Sequence, residues 1–161
     1  MPRMIPLCTA VLVLFSALAA SQTKPDKTPT VLFLCPHGAA KSVLASAYFQ
    51  QMAKERGLNV RVDAAGTEPD ESVSPLIAEH LRRNGYTVPV KKPRAVTDDD
   101  LASADLVISL GCDLSRRPVA PDKLRRWDEV PGASEDLNAA DEAIRRRVVA
   151  LIDELMARKK K

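Results

Sequence analysis

The stretch VLFLCPHGAAKSVLASAYF, Val31 to Phe49, turns an apolar run into an amphipathic one around a single cysteine. With Thr30 in front, TVLFLC (Thr30–Cys35) is a short continuous apolar run, the pattern of a parallel strand covered on both faces. Beyond CPHGAAKS, Leu44, Ala47, Tyr48 and Met52 fall on one side of a helix that Gly57 can stop. A tight loop between a strand and a helix N-terminus turns backbone N–H groups inward as a nest for an anion. The helix adds about half a positive charge. A thiol beneath such an anion is placed for nucleophilic attack on phosphorus or arsenic. Gly38 gives the loop its backbone freedom, Lys41 supplies a cation, and Ser42 can donate to the sulfur. The loop alone is equally open to a plainer reading, a small buried cysteine at a strand end before an ordinary turn.

Strand and helix signals alternate along the rest of the chain. LNVRVDAAGT carries the alternating Val60 and Val62 of a second strand. Ser74-Pro75 is an N-cap and first helical position for PLIAEHLRRNG, which Gly85 closes. TDDDL (Thr97–Leu101) begins a capping box, DLVISLGC (Asp105–Cys112) is a third buried strand, and KLRRWDEV is the candidate fourth. Ile144, Val148, Leu151 and Leu155 align on a closing helix from about Asn138 to Ala157. The alternation predicts a three-layer αβα architecture, a four-stranded parallel sheet with helices on both faces. Ligands of such sheets sit beyond the carboxyl ends of the strands, where Cys35 and Cys112 both fall.

The ends read differently. Residues 1–20 have an early Arg3, an apolar run from Ile5 to Phe15 and the A-x-A pattern Ala17-Leu18-Ala19, the marks of a cleaved secretory signal. A retained anchor is the alternative, although the run is shorter than the roughly 20 residues of a spanning helix. Residues 21–29 are a polar, proline-containing linker, 30–157 a single domain, and 158–161 a basic tail. Cleavage removes Arg3 and no acid, so the formal charge falls from +3 to +2. With aromatics at 4% there is no stacking platform beside the runs at Arg145–Arg147 and Arg158, which read as solvated faces. Nucleic acid is therefore not an expected partner, nor is a membrane once the signal is cleaved. A periplasmic location follows, where Cys35 and Cys112 can either pair or act as thiols. Cys35, His37 and Cys112 do not have a recognised zinc spacing, so no metal and no cofactor are expected. His37 instead tunes the thiol or contacts the anion. His80 is a packed or half-exposed helix residue, and Trp127 either walls the cleft or caps the core.

Four segments, in order, carry a resemblance: VLFLCPHGAAKSVLASAYF, DAAGTEPDESVSPLIAEHLRRNGYTV, ADLVISLGCD and RRWDEVP. Together, from Thr30 to about Pro131, they resemble the low-molecular-weight protein tyrosine phosphatase superfamily, which includes thioredoxin-coupled arsenate reductases. The resemblance implies the phosphotyrosine protein phosphatase I-like fold and a small oxyanion or phosphorylated substrate. It implies Cys35 as nucleophile and Pro36, His37, Gly38, Ala39, Ala40, Lys41 and Ser42 as the phosphate-binding loop. Lys41 stands where the family has arginine, and Ala40 where many members have a second cysteine. The family's Asp-Pro acid falls on Gly132-Ala133. Of the carboxylates nearby, Asp128, Glu129, Glu135 and Asp136, none matches cleanly; Asp128 lies closest to the strand end and is the candidate acid, with an ordinary surface carboxylate as the competing reading. The reductases use two cysteines after the third strand and this chain has Cys112 alone, which predicts a Cys35–Cys112 pair with Cα atoms within about 7 Å. Three functions follow from the resemblance: a phosphate-monoester hydrolase, phosphotyrosine included; an arsenate-reductase-like redox protein using Cys35 and Cys112; and a catalytically weak oxyanion- or phosphoprotein-binding relative.

Overall fold

The computed structural model describes residues 28–159; the expected signal 1–20, all of the expected linker except Thr28 and Pro29, and Lys160 and Lys161 of the expected tail lie outside the described residues. Four strands form one parallel sheet: β1 (Thr30–Cys35), β2 (Arg61–Gly66), β3 (Leu106–Ser109) and β4 (Leu124–Arg126), in the order β2-β1-β3-β4. The helices are α1 (Lys41–Glu55), α2 (Pro75–Arg83), α3 (Asp98–Ser103) and α4 (Leu137–Lys159). The three-layer fold expected from the sequence is the fold observed.

The central strand shows why the apolar run has no polar face. Val31, Phe33 and Cys35 of β1 pack with α1 and α4, while Leu32 and Leu34 pack on the opposite side with Leu101, Ala104 and Val107. Both faces are covered, so alternation disappears. Phe33 meets Phe49 at 5.5 Å and Trp127 at 5.9 Å between ring centroids, an aromatic knot at the sheet's centre. Trp127 is 4% exposed and so caps the core.

The sequence pattern understated α1. Every residue from Ser42 to Phe49 is buried, because the sheet lies on one side and α4 and α2 on the other. Met52, expected on the buried face, is only partly buried. The helices are joined by a polar cluster. Tyr48 of α1 donates to Asp141 of α4 and lies 3.2 Å from His80 Nε2 of α2. Arg145 stacks 4.0 Å above the Tyr48 ring and donates to Asp141 (2.8 Å) and to Tyr86 Oη (2.9 Å). Burial and the bond to Asp141 hold the Tyr48 phenol well above its ordinary pKa. Arg145 is thus a packing residue and not part of a solvated charge run, and His80 is a joint between helices.

Helix ends follow the local chemistry in part. Thr97 and Asp100 form the full capping box of α3, with Thr97 Oγ1 accepting from Asp100 N and Asp100 Oδ2 from Thr97 N. Asp100 also accepts from Arg94, and although burial opposes it, these bonds hold its carboxyl at about 2. Ser74 precedes Pro75 as expected but makes no side-chain cap bond; its backbone N–H goes instead to Ala39. α4 runs to Lys159, so Arg158 of the expected tail is helical and paired with Glu154.

Candidate active site

The loop after β1 is built by what holds its carbonyl groups. Pro36 O accepts from Glu68 N (2.8 Å), His37 O from Asp70 N (3.0 Å) and Ala39 O from Ser74 N (3.0 Å). The segment between β2 and α2 therefore holds the loop's acceptors from outside. No side chain caps α1, whose preceding residue Ala40 has no donor or acceptor beyond its backbone. Among the described residues, the N–H groups of Ala39, Ala40, Lys41 and Ser42 have no protein acceptor. Orphan donors at a helix N-terminus are what an anion satisfies.

Close backbone approach fixes this loop. Gly38 has φ +61, and a Cβ there would lie 2.8 Å from Gly66 N; one at Gly66 would lie 2.6 Å from Gly38 N. The two glycines let the loop lie directly on the end of β2.

A cleft of about 370 Å³ opens over the loop, lined by Cys35, His37, Lys41, Asp70, Leu76 and Ala133 among others. Cys35 is 3% exposed, and its Sγ lies 3.2 Å from Ser42 Oγ, which is fully buried. Lys41 Nζ donates to Val130 O at 3.2 Å, leaving two of its three N–H donors free. Gly111 closes that side without a side chain; a Cβ there would be 3.5 Å from Lys41 Nζ.

The structure brings Cys35, the loop Pro36–Ser42 and Lys41 together, but it does not bring the expected acid. Asp128 faces Arg126 at 3.9 Å, is about half exposed, and does not line the cleft. β4 ends at Arg126, and Trp127 turns into the core, which carries the next side chain away from the cleft. The other three carboxylates do not line the cleft either. Glu129 pairs with Arg147, Asp136 accepts from Ala139 N at the start of α4, and Glu135 is exposed and packs behind the cleft wall on Gly132. The carboxylate that does line the cleft is Asp70, and its Oδ1 lies 3.3 Å from His37 Nδ1. Its place in DAAGTEPD gave no signal, because loop acids are ordinarily solvated.

Cys112 is a buried free thiol, 3% exposed, packed with Leu32 and Leu34 on the α3 side of the sheet. Its N–H donates to Ser109 Oγ at 3.1 Å. Burial pushes the thiol up to about 11 and neighbouring Cys35 adds to this, while Thr67, Ser109 and Lys41 pull the other way. The folded thiol keeps its proton to about 11, whereas the unfolded one releases it near 9.0. Stability from this group is thus complete well below pH 9, falls by about 2 kcal/mol by pH 11 and by about 3 kcal/mol above it. Urea unfolding at pH 8 and 10.5 should show the wild type losing about 2 kcal/mol more than Cys112→Ala; equal losses would refute the burial effect.

Among the described residues no group of three or more His, Cys, Asp or Glu side chains is arranged to hold a metal, and no helix is long and apolar enough to cross a membrane. A second cleft of about 400 Å³ opens at the N-terminal edge of the sheet, lined by Val31, Leu58, Val60, Leu106 and Leu155 with Asp105. It has no thiol or histidine in its lining.

Comparison with known proteins agrees with this geometry. The family described as low molecular weight phosphotyrosine protein phosphatase matches residues 30–130. A protein of Halobacterium salinarum named "Putative arsenate reductase" is 28% identical over 134 residues, covering 80% of this chain and 94% of its own. The solved thioredoxin-dependent arsenate reductase of Corynebacterium glutamicum superposes with a TM-score of 0.72 at 30% identity; the alignment covers 83% of this chain and 65% of that one. A protein-arginine-phosphatase of Bacillus subtilis is 30% identical over 87 residues, half of this chain and 54% of its own.

Proposed function

The chain belongs to the low molecular weight phosphotyrosine protein phosphatase family, and on that premise we propose that it is an exported phosphate-monoester hydrolase with Cys35 as nucleophile. The Cys35 thiolate attacks phosphorus, the leaving oxygen departs, and water then hydrolyses the thiophosphoryl intermediate. Amides of the 36–42 loop and the start of α1 hold the three oxygens of the phosphoryl group, and Lys41 neutralises part of their charge. The observation that carries this reading is the Cys35 sulfur beside Ser42 Oγ at 3.2 Å, beneath a loop whose carbonyls are held outward. The hydroxyl can donate to the sulfur and so stabilise the thiolate as attacker and as leaving group. Phosphotyrosine is the protein monoester in view; the name of the Bacillus relative adds phosphoarginine, a phosphoramidate whose P–N bond the same thiolate attack would break. Export rests on the Ala17-Leu18-Ala19 pattern and makes the site of action a periplasm.

Hydrolysis of 4-nitrophenyl phosphate by the mature protein tests this. Lys41 acts as a point charge, whereas arginine offers a planar fork to two oxygens. Lys41→Arg should therefore raise kcat by about 10²-fold, the usual worth of one oxyanion donor. Gly111 leaves room for the longer side chain. An unchanged kcat would remove residue 41 from the transition state, and a lower one would overturn the claim that a planar fork serves the oxygens better than the lysine charge.

A second reading is supported by the two arsenate reductases among the relatives and by the buried free thiol of Cys112, which lies near enough to Cys35 for that sulfur to raise its pKa. An arsenate reductase would form a Cys35–Cys112 disulfide as it releases arsenite. A thiol held up to about 11 is about 10⁻⁴ ionised at pH 7, so that step would be slow in this conformation. Arsenate-dependent appearance of the disulfide, read by mass spectrometry, would favour the reductase.

A further inference from the structure

The cleft holds four titratable side chains: Cys35 at the end of β1, His37 in the loop, Lys41 at the start of α1, and Asp70 from the segment after β2. Two have roles already, Cys35 as nucleophile and Lys41 as the oxyanion cation tied to Val130 O. Ester cleavage with an ordinary alcohol or phenol still needs a proton for the leaving oxygen. Of the four carboxylates between Asp128 and Asp136 none lines the cleft, although Glu135 packs behind its wall at Gly132; among the titratable side chains of the lining, His37 and Asp70 remain without a role.

Resting on the phosphatase reading, we infer that His37 is the proton donor and acceptor of the reaction and that Asp70 positions it. The backbone holds them together, since Asp70 N donates to His37 O at 3.0 Å, and the side chains meet at 3.3 Å between Nδ1 and Oδ1. A carboxylate within ion-pair reach of Nδ1 favours the proton on that nitrogen and leaves Nε2 as the working one. Both side chains are more than half exposed, so the pair contributes little to folding and is open to a substrate at the mouth of the cleft.

In the first step the Cys35 thiolate forms the S–P bond and the P–O bond breaks with its electron pair. The leaving oxygen takes the proton from Nε2 of the imidazolium. In the second step water gives a proton to Nε2 as its oxygen bonds phosphorus, the S–P bond breaks, and the thiolate and imidazolium return. Charge and protons balance over the cycle with no further reactant.

The test is leaving-group dependence. A good leaving group needs little protonation, a poor one needs it fully. Turnover of 4-nitrophenyl phosphate and phenyl phosphate is compared in wild type, His37→Gln, Asp70→Asn and Asp70→Glu. His37→Gln should raise the ratio of nitrophenyl to phenyl turnover by about 10²-fold. Asp70→Asn should raise it about tenfold through kcat with KM unchanged, and Asp70→Glu should restore it. An unchanged ratio in His37→Gln, with the wild type active, overturns this role and leaves the phosphatase reading standing. A wild type inactive on 4-nitrophenyl phosphate overturns that reading and this role with it.

Discussion

Cys35→Ser is expected to abolish turnover, by at least about 10⁴-fold, while the protein folds and still binds phosphate. The size follows from the chemistry: a nucleophile removed from a unit that works together costs nearly the whole enzymatic rate, up to about 10⁶-fold. A serine hydroxyl needs a base to become an attacking oxyanion. The group nearest the sulfur is the hydroxyl of Ser42, itself fully buried and more donor than base. The fold should be spared because oxygen is smaller than sulfur and the new hydroxyl inherits Ser42 as its partner. Binding should be spared because the anion is held by backbone N–H groups, which a side-chain change does not remove. Steady-state kinetics, thermal melting and phosphate titration by calorimetry read the three parts separately. Turnover above about 1% of wild type would mean that another group attacks phosphorus. Loss of phosphate binding would mean that the sulfur, and not the nest, holds the anion.

What could be read beforehand divides along a physical line. Strand β1, the loop and the start of α1 are contiguous in sequence, and local rules cover them: an apolar run, a glycine turn, a helical repeat. The α3 capping box was legible for the same reason, since Thr97 and Asp100 are three residues apart. Contacts between distant segments were not legible. Nothing in the spacing of Asp70 shows that its backbone bonds His37, because that contact depends on how β2 ends against the loop. Nearness to a strand end points to Asp128, but the structure sets its carboxylate beside Arg126 and outside the cleft lining, next to a Trp127 that turns inward to meet Phe33. Arg145 shows the same limit: three consecutive arginines look solvated, yet one of them stacks on Tyr48 because α1 and α4 pack together. The family resemblance carries the long-range order of the strands, and its departures at Lys41 and at Gly132-Ala133 fall where side chains from distant segments meet.

Gly66→Ala should damage stability and activity together, and by more than an exposed loop substitution would. The added methyl would sit 2.6 Å from Gly38 N and 2.8 Å from both His37 C and Pro36 O, all backbone atoms with no flexible side chain to swing aside. Gly66 cannot retreat, since its N–H donates to Arg94 O at 2.9 Å and its carbonyl accepts from Val96 N at 2.8 Å. The loop cannot retreat either without breaking the bond from Glu68 N to Pro36 O. Overpacking a tight site costs about 1–3 kcal/mol. With both walls made of hydrogen-bonded backbone, the loss should reach at least about 3 kcal/mol in urea unfolding. Activity should fall further than stability explains, because a displacement of about 1 Å in catalytic groups costs about 10²-fold even in a folded enzyme. At a temperature where the variant is fully folded, phosphate affinity and kcat should therefore both be reduced. A folded variant with unchanged kcat would show that the loop tolerates a shift away from β2, and that the contact between the two glycines does not set the geometry of the nest.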